Sequence, residues 1–395
     1  MTDVYWDPFD TDIDTDPYDT WRQMRDEAPL YHNDEYDFFA LARFADVEAA
    51  HRDPRTYCSS HGTVLELMGP QAFDTGQMIF MDPPDHTRLR ALVSRAFTPR
   101  RVDALEDRIR ELSCDFLDRL ADRDSFDYVQ DFAVYLPSMV ISSLLGVPLE
   151  DQEMLRKLID QVFHIEPGVG MVNDVSLTAQ IEINAYIRSQ LEEVLQHPRD
   201  DMLTDLSVAE ITDDDGTTRR LTVAQGADFA NLLISAGTET VARLLGWASV
   251  VLDAHPGQRA EVAADPSLLG NAVEELLRYE APSPVQGRWT TADVELHGET
   301  VPAGSKVLLL TGSAGRDERA FPDADRFDIH RDFDLHVSFG YGIHFCLGAA
   351  LARMEGRIGL EETLRRFPEW EVDHDNVVRL HTSTVRGFAR VPIRV

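Results

Sequence analysis

The chain has 395 residues and a formal net charge of −33, with 43% hydrophobic and 27% charged residues. This composition predicts a globular protein with a core large enough to enclose a cofactor, and the charge argues against nucleic acid and anionic lipid surfaces as partners. No stretch approaches the roughly 20 apolar residues needed to cross a bilayer, and the acidic N-terminus is unlike a signal peptide. We therefore expect a cytoplasmic protein that does not bind membranes.

Hydrophobic periodicity predicts a mostly helical chain. Over residues 101–122, apolar residues recur at helical spacing with charged residues between them, at Val102, Leu105, Ile109, Leu112 and Phe116. The same pattern predicts helices over residues 133–145, 177–196, 222–254, 270–280 and 347–366.

Strand-like segments are short. They are predicted at Phe38–Ala42, Val294–Leu296, Val307–Leu310 and Val391–Val395. Pro392 should confine the last strand to a sheet edge. Polar residues 209–220 should form an exposed turn or hairpin. Because there is no internal repeat or low-complexity linker, we expect residues 1–395 to form a single domain, mainly α with small β-sheets.

The three cysteines, Cys58, Cys114 and Cys346, show no pairing pattern, which suits a reducing compartment and argues against a disulfide framework. A lone cysteine is more often a small buried hydrophobe than a metal ligand. One of the three can still be a ligand.

Cys346 lies in a glycine-rich loop, FGYGIHFCLG, that precedes a predicted helix. At a helix start, partial positive charge and free N–H groups favour a thiolate. Gly340 and Gly342 can adopt positive φ and approach a flat cofactor closely, while His344 can hydrogen-bond an anionic group beside it. Gly348 permits tight packing of the helix. The loop therefore suits a cysteine ligand.

This loop resembles the haem-binding loop of the cytochrome P450 family, F-G-x-G-x-[HR]-x-C-x-G. The fixed positions are matched by Phe339, Gly340, Gly342, His344, Cys346 and Gly348. The resemblance implies a cytochrome P450 fold with haem b (iron protoporphyrin IX) as cofactor and Cys346 as its axial ligand. It also implies that Phe339 and Gly340 lie beside the haem.

Glu275 and Arg278 form an E-x-x-R motif on one face of a predicted helix. Alone the motif is weak, because exposed pairs at this spacing are common and contribute little. The resemblance implies that Arg326 joins the pair to brace the core beside the haem. We assign all three residues to structure.

The helix predicted over residues 222–254 contains the sequence AGTET. Its Ala236, Gly237 and Thr240 share a smooth apolar face that ends in a hydroxyl. The small residues leave room for a haem, and Thr240 can disturb the local hydrogen bonding or hold a water. Plain helix packing, with Thr240 bonded back to its own helix, is the alternative.

The resemblance favours a functional reading of this helix. It implies that Thr240 and Glu239 relay protons, and that Ala236 and Gly237 lie against the haem. Many relatives carry Asp where this chain has Glu239, so the reach and hydration of this acid differ from theirs.

His86 and Arg90 stand four residues apart in the segment MDPPDHTRLR, so both can reach one anionic group. A pair of solvated charges is the alternative. The resemblance implies that the group is a haem propionate, with Arg288 and His344 as further partners.

The resemblance runs from about Asp16 to the end of the chain. It implies a monooxygenase that inserts one oxygen atom of O2 into a hydrophobic small molecule, by hydroxylation or by O- or N-dealkylation. Electrons would come from a ferredoxin and its NAD(P)H-dependent reductase. A peroxide-driven haem peroxygenase and a non-catalytic haem sensor are the alternatives, and a sensor would not require the helix face at residues 236–240.

By position in the family, the substrate pocket should be mostly apolar and lined by residues 61–68, residues 162–172, Leu233, Ala236, Val285, Gln286 and residues around Val385. His164, Glu166 or Gln286 could orient the substrate. The sequence does not distinguish among fatty acids, terpenoids or steroids, macrolide-like products and methoxylated aromatics.

Residues 86–101 hold five arginines and no acid, although acids outnumber bases by 70 to 37 in the whole chain. The resemblance implies that this segment and the helix after Cys346 approach the side of the haem where electrons enter. We predict that basic residues there steer an acidic ferredoxin, drawn from Arg88, Arg95, Arg100, Arg101, Arg353 and Arg357. Simple balancing of neighbouring acids is the alternative.

Overall fold

Helices dominate the computed structural model, which describes residues 4–94, 97–163, 170, 172–212, 216–332 and 334–395. In chain order the α-helices are α1 Thr11–Thr15, α2 Tyr18–Glu27, α3 Phe44–Arg52, α4 Asp85–Val93, α5 Pro99–Asp103, α6 Glu106–Asp118, α7 Tyr135–Leu145, α8 Leu149–Val162, α9 Asp174–Gln196, α10 Met202–Val208, α11 Val223–Ala254, α12 Pro256–Ala264, α13 Leu269–Tyr279, α14 Thr311–Gly315 and α15 Ala349–Arg366. Within these residues, no helix combines the length and the apolar character needed to cross a membrane.

The strands are short and form small sheets. They are β1 Leu30–Asn33, β2 Phe38–Leu41, β3 Tyr57–Cys58, β4 Ser125–Asp127, β5 Glu210–Thr212, β6 Thr218–Arg220, β7 Gln286–Thr290, β8 Val294–Leu296, β9 Glu299–Val301, β10 Lys306–Leu309, β11 Glu371–Val372, β12 Val378–His381, β13 Arg386–Arg390 and β14 Pro392–Arg394. The largest sheet has the order β1-β2-β10-β7-β3, in which β2 and β10 are parallel and the other pairs antiparallel. Strands β11, β14 and β4 form a second sheet, and β5–β6, β8–β9 and β12–β13 pair separately.

Helix α11 is the central element, and it packs against α7, α9 and α15. It begins at a capping box, in which Thr222 and Gln225 satisfy each other's backbone N–H groups, and it stops before Pro256. A Cβ atom at Gly356 of α15 would lie 3.0 Å from a methyl carbon of Leu244. The absence of a side chain there lets α15 approach α11 closely, which brings the segment after Cys346 beside the middle of α11.

One predicted helix is interrupted. Residues 101–122 form parts of α5 and α6, with a break at residues 104–105. The Leu105 N–H donates to the carbonyl of Val102, three residues back, so the chain tightens there before α6 begins. The apolar spacing continues across this break, which is why periodicity alone does not reveal it. The other five predicted helices are confirmed.

The predicted strands are confirmed, but the prediction that Pro392 lies on a sheet edge is wrong. Strand β14 is the central strand of its sheet, between β11 and β4. Pro392 is tolerated because it is the first residue of the strand, and its carbonyl accepts a hydrogen bond from the Asp373 N–H (2.9 Å). The predicted polar hairpin is confirmed as β5–β6.

The E-x-x-R pair is fully buried and bidentate, with Arg278 Nε and Nη2 at 2.7 and 2.8 Å from the Glu275 carboxylate. The predicted third member is wrong, because the guanidinium of Arg326 is mostly exposed and binds Asp328. Arg331 takes the place instead, with its Nε 3.2 Å from Glu275 Oε1. Arg326 contributes only its carbonyl, which accepts hydrogen bonds from Arg278 and Arg331.

Candidate active site

The cysteine loop is folded tightly before α15. Gly340 and Gly342 have φ values of +67° and +70°, which confirms the predicted positive φ at both glycines. The Cys346 N–H donates to the Phe339 carbonyl (2.9 Å), so the loop closes on itself. A Cβ atom at Gly342 would lie 2.4 Å from the carbonyl oxygen of His51, so only glycine fits there. This turn presents Cys346 to the central cavity.

Burial raises the pKa of the Cys346 thiol. A hydrogen bond from the Gly348 backbone and the charges of Arg90 and Arg353 oppose the rise but do not outweigh it. The backbone at the helix start thus favours the thiolate, as predicted, but desolvation of the sulfur is the larger effect on its pKa. A coordinated metal ion would deprotonate the thiol.

An apolar cavity of about 380 Å³ lies between α11 and the cysteine loop. Of the predicted pocket residues, those that line it are Thr63, Val64, Phe163, Leu233, Ala236, Val285, Gln286 and Val385. His61 instead stacks on Trp289 at 5.1 Å between ring centroids. His164 and Glu166 lie outside the described residues. The apolar character that the sequence predicts for this pocket is confirmed.

The cavity brings together nine of the eleven residues predicted for the site. They are Ala236, Gly237, Glu239, Thr240, Arg90, Arg288, Phe339, His344 and Cys346. His86 and Gly340 lie behind this lining. The ring of His86 is 4.2 Å from that of His344, and Gly340 precedes the tight turn of the loop.

Thr240 faces the cavity from α11, and its Oγ1 donates to the Ala236 carbonyl (2.9 Å). The neighbouring Thr238 makes the same bond to Ile234 (2.8 Å), but it is buried in the packing outside the cavity lining. Of these two back-bonded threonines of α11, Thr240 lines the cavity and Thr238 does not.

The carboxylate of Glu239 is engaged in an ion pair within α11. Its Oε1 accepts a hydrogen bond from Nε of Arg243 (2.8 Å) and lies 2.5 Å from Nη2, and both side chains are buried. Arg243 also donates to the carbonyl of Phe388. Burial raises the pKa of Glu239, and the charge of Arg243 partly opposes that rise. Glu239 thus lines the cavity while one of its carboxylate oxygens is held by Arg243.

Cationic and unpartnered donor groups cluster at one end of the cavity. Both ring nitrogens of His86 and Nε2 of His344 are buried with no hydrogen-bond partner among the described residues. Burial lowers the pKa of His86 to about 4 and that of His344 to about 2, so both imidazoles are neutral near pH 7. Arg288 is buried, and it donates to the Gly287 carbonyl (2.7 Å). Such a set of donors fits a buried anionic ligand, as the two carboxylates of haem require.

Glu355 of α15 also lines the cavity, and the sequence analysis missed it. Its Oε2 is buried without a partner in the described part of the chain, and burial raises the pKa of this carboxyl well above its usual range. The available signal was its position, since Leu351, Glu355 and Ile358 share the buried face of the helix. Glu355 is therefore a neutral acid at the wall of the cavity.

Most of the predicted ferredoxin-binding arginines are paired with acids. Arg88 binds Asp85, Arg101 binds Asp205, Arg353 binds Glu274 and Arg357 binds Glu106. Arg95 lies outside the described residues. Arg100 is exposed on α5, which packs against α15.

Known proteins resemble this chain along nearly its whole length. The sequence model of the family described as Cytochrome P450 matches residues 32–394. A protein named putative cytochrome P450 123, from Mycobacterium tuberculosis, is 43% identical over 98% of this chain and 96% of its own. The vitamin D(3) 25-hydroxylase of Pseudonocardia autotrophica is 39% identical over 89% and 87%. The solved structure of cytochrome P450 CYP109Q5 from Chondromyces apiculatus matches with a TM-score of 0.88 and 35% identity, over 98% and 96%.

A mainly helical fold around an apolar cavity with a cysteine in its wall is the arrangement expected of a haem-thiolate enzyme. The chain belongs to the cytochrome P450 family. It is therefore a monooxygenase with haem b as its cofactor, whose iron is bound through a cysteine thiolate. The predicted fold class, mainly α with small β-sheets, is confirmed by these matches.

Proposed function

We propose that this monooxygenase inserts one oxygen atom of O2 into an apolar small molecule, with its haem iron bound by Cys346. The observation that carries the proposal is that Cys346 and Thr240 line one apolar cavity, Cys346 from the loop and Thr240 from α11. When bound through a thiolate, haem supplies the activation of oxygen and the oxidising chemistry. The protein supplies the binding, orientation and proton handling.

The residues that would hold the haem come from three parts of the chain. Cys346 binds the iron, with Phe339 and Gly340 beside it in the same loop. Ala236 and Gly237 of α11 form the opposite wall, where their small side chains leave space. The propionates would be bound by the donors at one end of the cavity, namely His86, Arg90, Arg288 and His344. In support, this end contains the buried Arg288, the half-buried Arg90 and unpartnered imidazoles.

A hydrophobic substrate follows from the cavity lining, which is mostly aliphatic and aromatic. Gln286 and Thr63 are polar groups in this wall that can orient one oxygen atom of the substrate. Because one relative is named a vitamin D(3) 25-hydroxylase, steroid-like molecules are the first class to screen. A substrate-induced change in the haem absorption spectrum, compared with fatty acids, macrolide-like molecules and methoxylated aromatics, measures the preference.

Thr240 is proposed to hold a proton donor in the cavity, with Glu239 as the ionisable group behind it. Thr240 Oγ1 can leave its bond to Ala236 and donate into the cavity instead, since a threonine hydroxyl rotates about χ1. Thr240→Ala should keep haem and substrate binding, yet divert reducing equivalents into hydrogen peroxide. The measurement is product formed per NAD(P)H consumed.

Thr238→Ala is the matched control, because it removes an equivalent back-bonded hydroxyl outside the cavity lining. Coupling should fall several-fold in Thr240→Ala and stay at the wild-type value in Thr238→Ala. Unchanged coupling in Thr240→Ala would reduce Thr240 to a packing residue.

An acidic ferredoxin is the proposed electron donor. It would dock where α5 packs against α15, and Arg100 is the exposed basic residue that the structure offers there. Because neighbouring arginines are paired with acids, Arg100 should matter most for steering. Arg100→Glu should slow reduction by ferredoxin at low salt, with the loss shrinking as salt rises. Arg394→Glu, on the C-terminal strand, is the control for a general charge effect.

Turnover with ferredoxin, reductase and NAD(P)H, compared with turnover on hydrogen peroxide alone, tests the proposed function. The proposal predicts that product forms only with ferredoxin, reductase and NAD(P)H, or forms far faster with them than with hydrogen peroxide. Faster turnover on peroxide would assign the protein as a peroxygenase, and no product from any substrate class in either condition would favour a haem sensor.

We also infer a single domain in the cytoplasm. Residues that line the cavity range from Thr63 to Val385, so the site draws on nearly the whole chain. None of the three cysteines forms a disulfide, which suits a reducing compartment.

A further inference from the structure

The last turn of α3 packs directly on the cysteine loop. The carbonyl of His51 occupies the space where a side chain at Gly342 would stand, 2.4 Å from the position of its Cβ. Arg52 lies over the ring of Tyr341, with its guanidinium carbon 4.8 Å from the ring centroid. Helix α3 therefore holds the outer side of the loop whose inner side presents Cys346.

The imidazole of His51 is buried in this contact and makes no hydrogen bond to any described residue. It is 4% exposed, and neither ring nitrogen has a partner. Its Cε1 is 3.6 Å from the point where a Cβ on Gly340 would lie, and Gln286 Oε1 and the His344 carbonyl are near the same point. A buried donor without an acceptor destabilises the folded protein, so we expect this ring to have a hydrogen-bond partner.

The positive charge of Arg288 near His51 favours an anion as that partner. Arg288 acts on it electrostatically, and burial together with Arg288 lowers the pKa of His51 to about 3. The ring is therefore neutral near pH 7, with one N–H to donate. His344 and Arg288 are common neighbours of His51 and of the proposed propionate site. Asp82 acts electrostatically on Arg288, and its oxygens accept hydrogen bonds from the N–H groups of Ser59 and Ser60.

We propose that His51 is a further haem-binding residue, whose ring N–H donates to a haem propionate. The inference rests on the proposed function, which places the propionates at His86, Arg90, Arg288 and His344. His51 belongs to none of the motifs in the sequence, and it reaches the site only because α3 packs on the loop. It adds a donor from a helix that otherwise only supports the backbone.

Two variants of His51 separate hydrogen bonding from packing. His51→Leu keeps an apolar side chain in the space but removes the donor, whereas His51→Gln keeps an N–H donor. In holoenzyme, His51→Leu should release haem to a globin acceptor roughly tenfold faster or more, as expected for loss of a hydrogen bond to a charged group. His51→Gln should restore most of the retention. The propionate bending band in the resonance Raman spectrum should shift in His51→Leu and return toward wild type in His51→Gln.

Two further variants identify which proposal fails. Arg288→Leu should also speed haem loss, and His255→Leu should not, because His255 lies roughly 22 Å along α11 from Thr240 at 1.5 Å per residue. Wild-type retention and an unshifted Raman band in His51→Leu, with fast loss in Arg288→Leu, would overturn the role of His51 alone. Wild-type retention in both would overturn the propionate site itself. Fast loss in His51→Leu and His51→Gln alike, without a shift of the band, would assign His51 to packing.

Discussion

Breaking the buried ion pair between Glu239 and Arg243 from one side should strongly destabilise the protein. Glu239→Gln keeps the shape of the side chain and an acceptor oxygen but removes its charge, which leaves the buried Arg243 guanidinium without the carboxylate that neutralises it. Breaking one side of a buried pair costs about 3–5 kcal/mol. The two side chains are only 8% and 6% exposed, so solvent offers little compensation, and we expect about 3 kcal/mol.

The assay is urea unfolding of the holoenzyme at pH 7, with the free energy taken from linear extrapolation. Glu48→Gln is the matched control, since Glu48 pairs with Arg52 at the same i,i+4 spacing on an exposed face of α3. That change should cost at most about 0.5 kcal/mol. The double variant Glu239→Gln/Arg243→Met should recover much of the loss, because no buried charge is then left unpaired.

The reasoning would be refuted if Glu239→Gln cost no more than Glu48→Gln. The pair would then be solvated in solution and would contribute little to the position of Glu239 in the cavity wall. A large loss together with wild-type coupling of product to NAD(P)H would make Glu239 a structural residue.

Three further predictions follow from glycine, acid and arginine positions around the site. Gly342→Ala should lower the free energy of unfolding by about 2–5 kcal/mol, because the new Cβ overlaps the His51 carbonyl and alanine is strained at this positive φ. Gly340→Ala adds only the strain, since its Cβ has space, and should cost about 1–2 kcal/mol in the same urea assay. The raised pKa of Glu355 means that its contribution to stability is complete below its unfolded pKa of about 4.3 and is lost as pH rises through its folded pKa. Glu355→Gln should therefore stay within about 1 kcal/mol of wild type near pH 4, be more stable than wild type at pH 7, and remove the fall in stability between these two pH values. A loss of stability at pH 7 would instead show a carboxylate that is held by a partner. Arg331→Met should cost about 2–4 kcal/mol and Arg326→Met less than about 0.5 kcal/mol, and the reverse order would restore Arg326 as the partner of the E-x-x-R pair.

Local patterns explain what the sequence could predict of the fold. Helix α11 is readable because its apolar residues recur at helical spacing and Thr222 and Gln225 cap its start. The break between α5 and α6 is invisible because Leu105 continues the apolar spacing while its backbone tightens. The prediction for Pro392 was wrong because proline is also tolerated as the first residue of a central strand.

The site residues likewise fall into those that local sequence patterns predict and those that they do not. The turn around Cys346 is predictable because glycines, a cysteine and a helix start are adjacent in sequence, and the same holds for residues 236–240 on α11. Arg331 and His51 reach their partners through loop and helix packing over long sequence separations, which no short motif encodes. The pair of Glu239 with Arg243 could have been predicted from the sequence, since an acid and a base at i,i+4 spacing can be recognised in any predicted helix.

The absorption spectrum of the ferrous carbon monoxide complex in Cys346→Ser tests most directly whether Cys346 is the ligand of the haem iron. Thiolate ligation gives this complex a red-shifted Soret band, because sulfur donates electron density to the iron far better than an alcohol. We predict that the band is lost in Cys346→Ser and retained in Cys58→Ser and Cys114→Ser. Persistence of the band in Cys346→Ser, or its loss in either control, would contradict the assignment of the iron ligand.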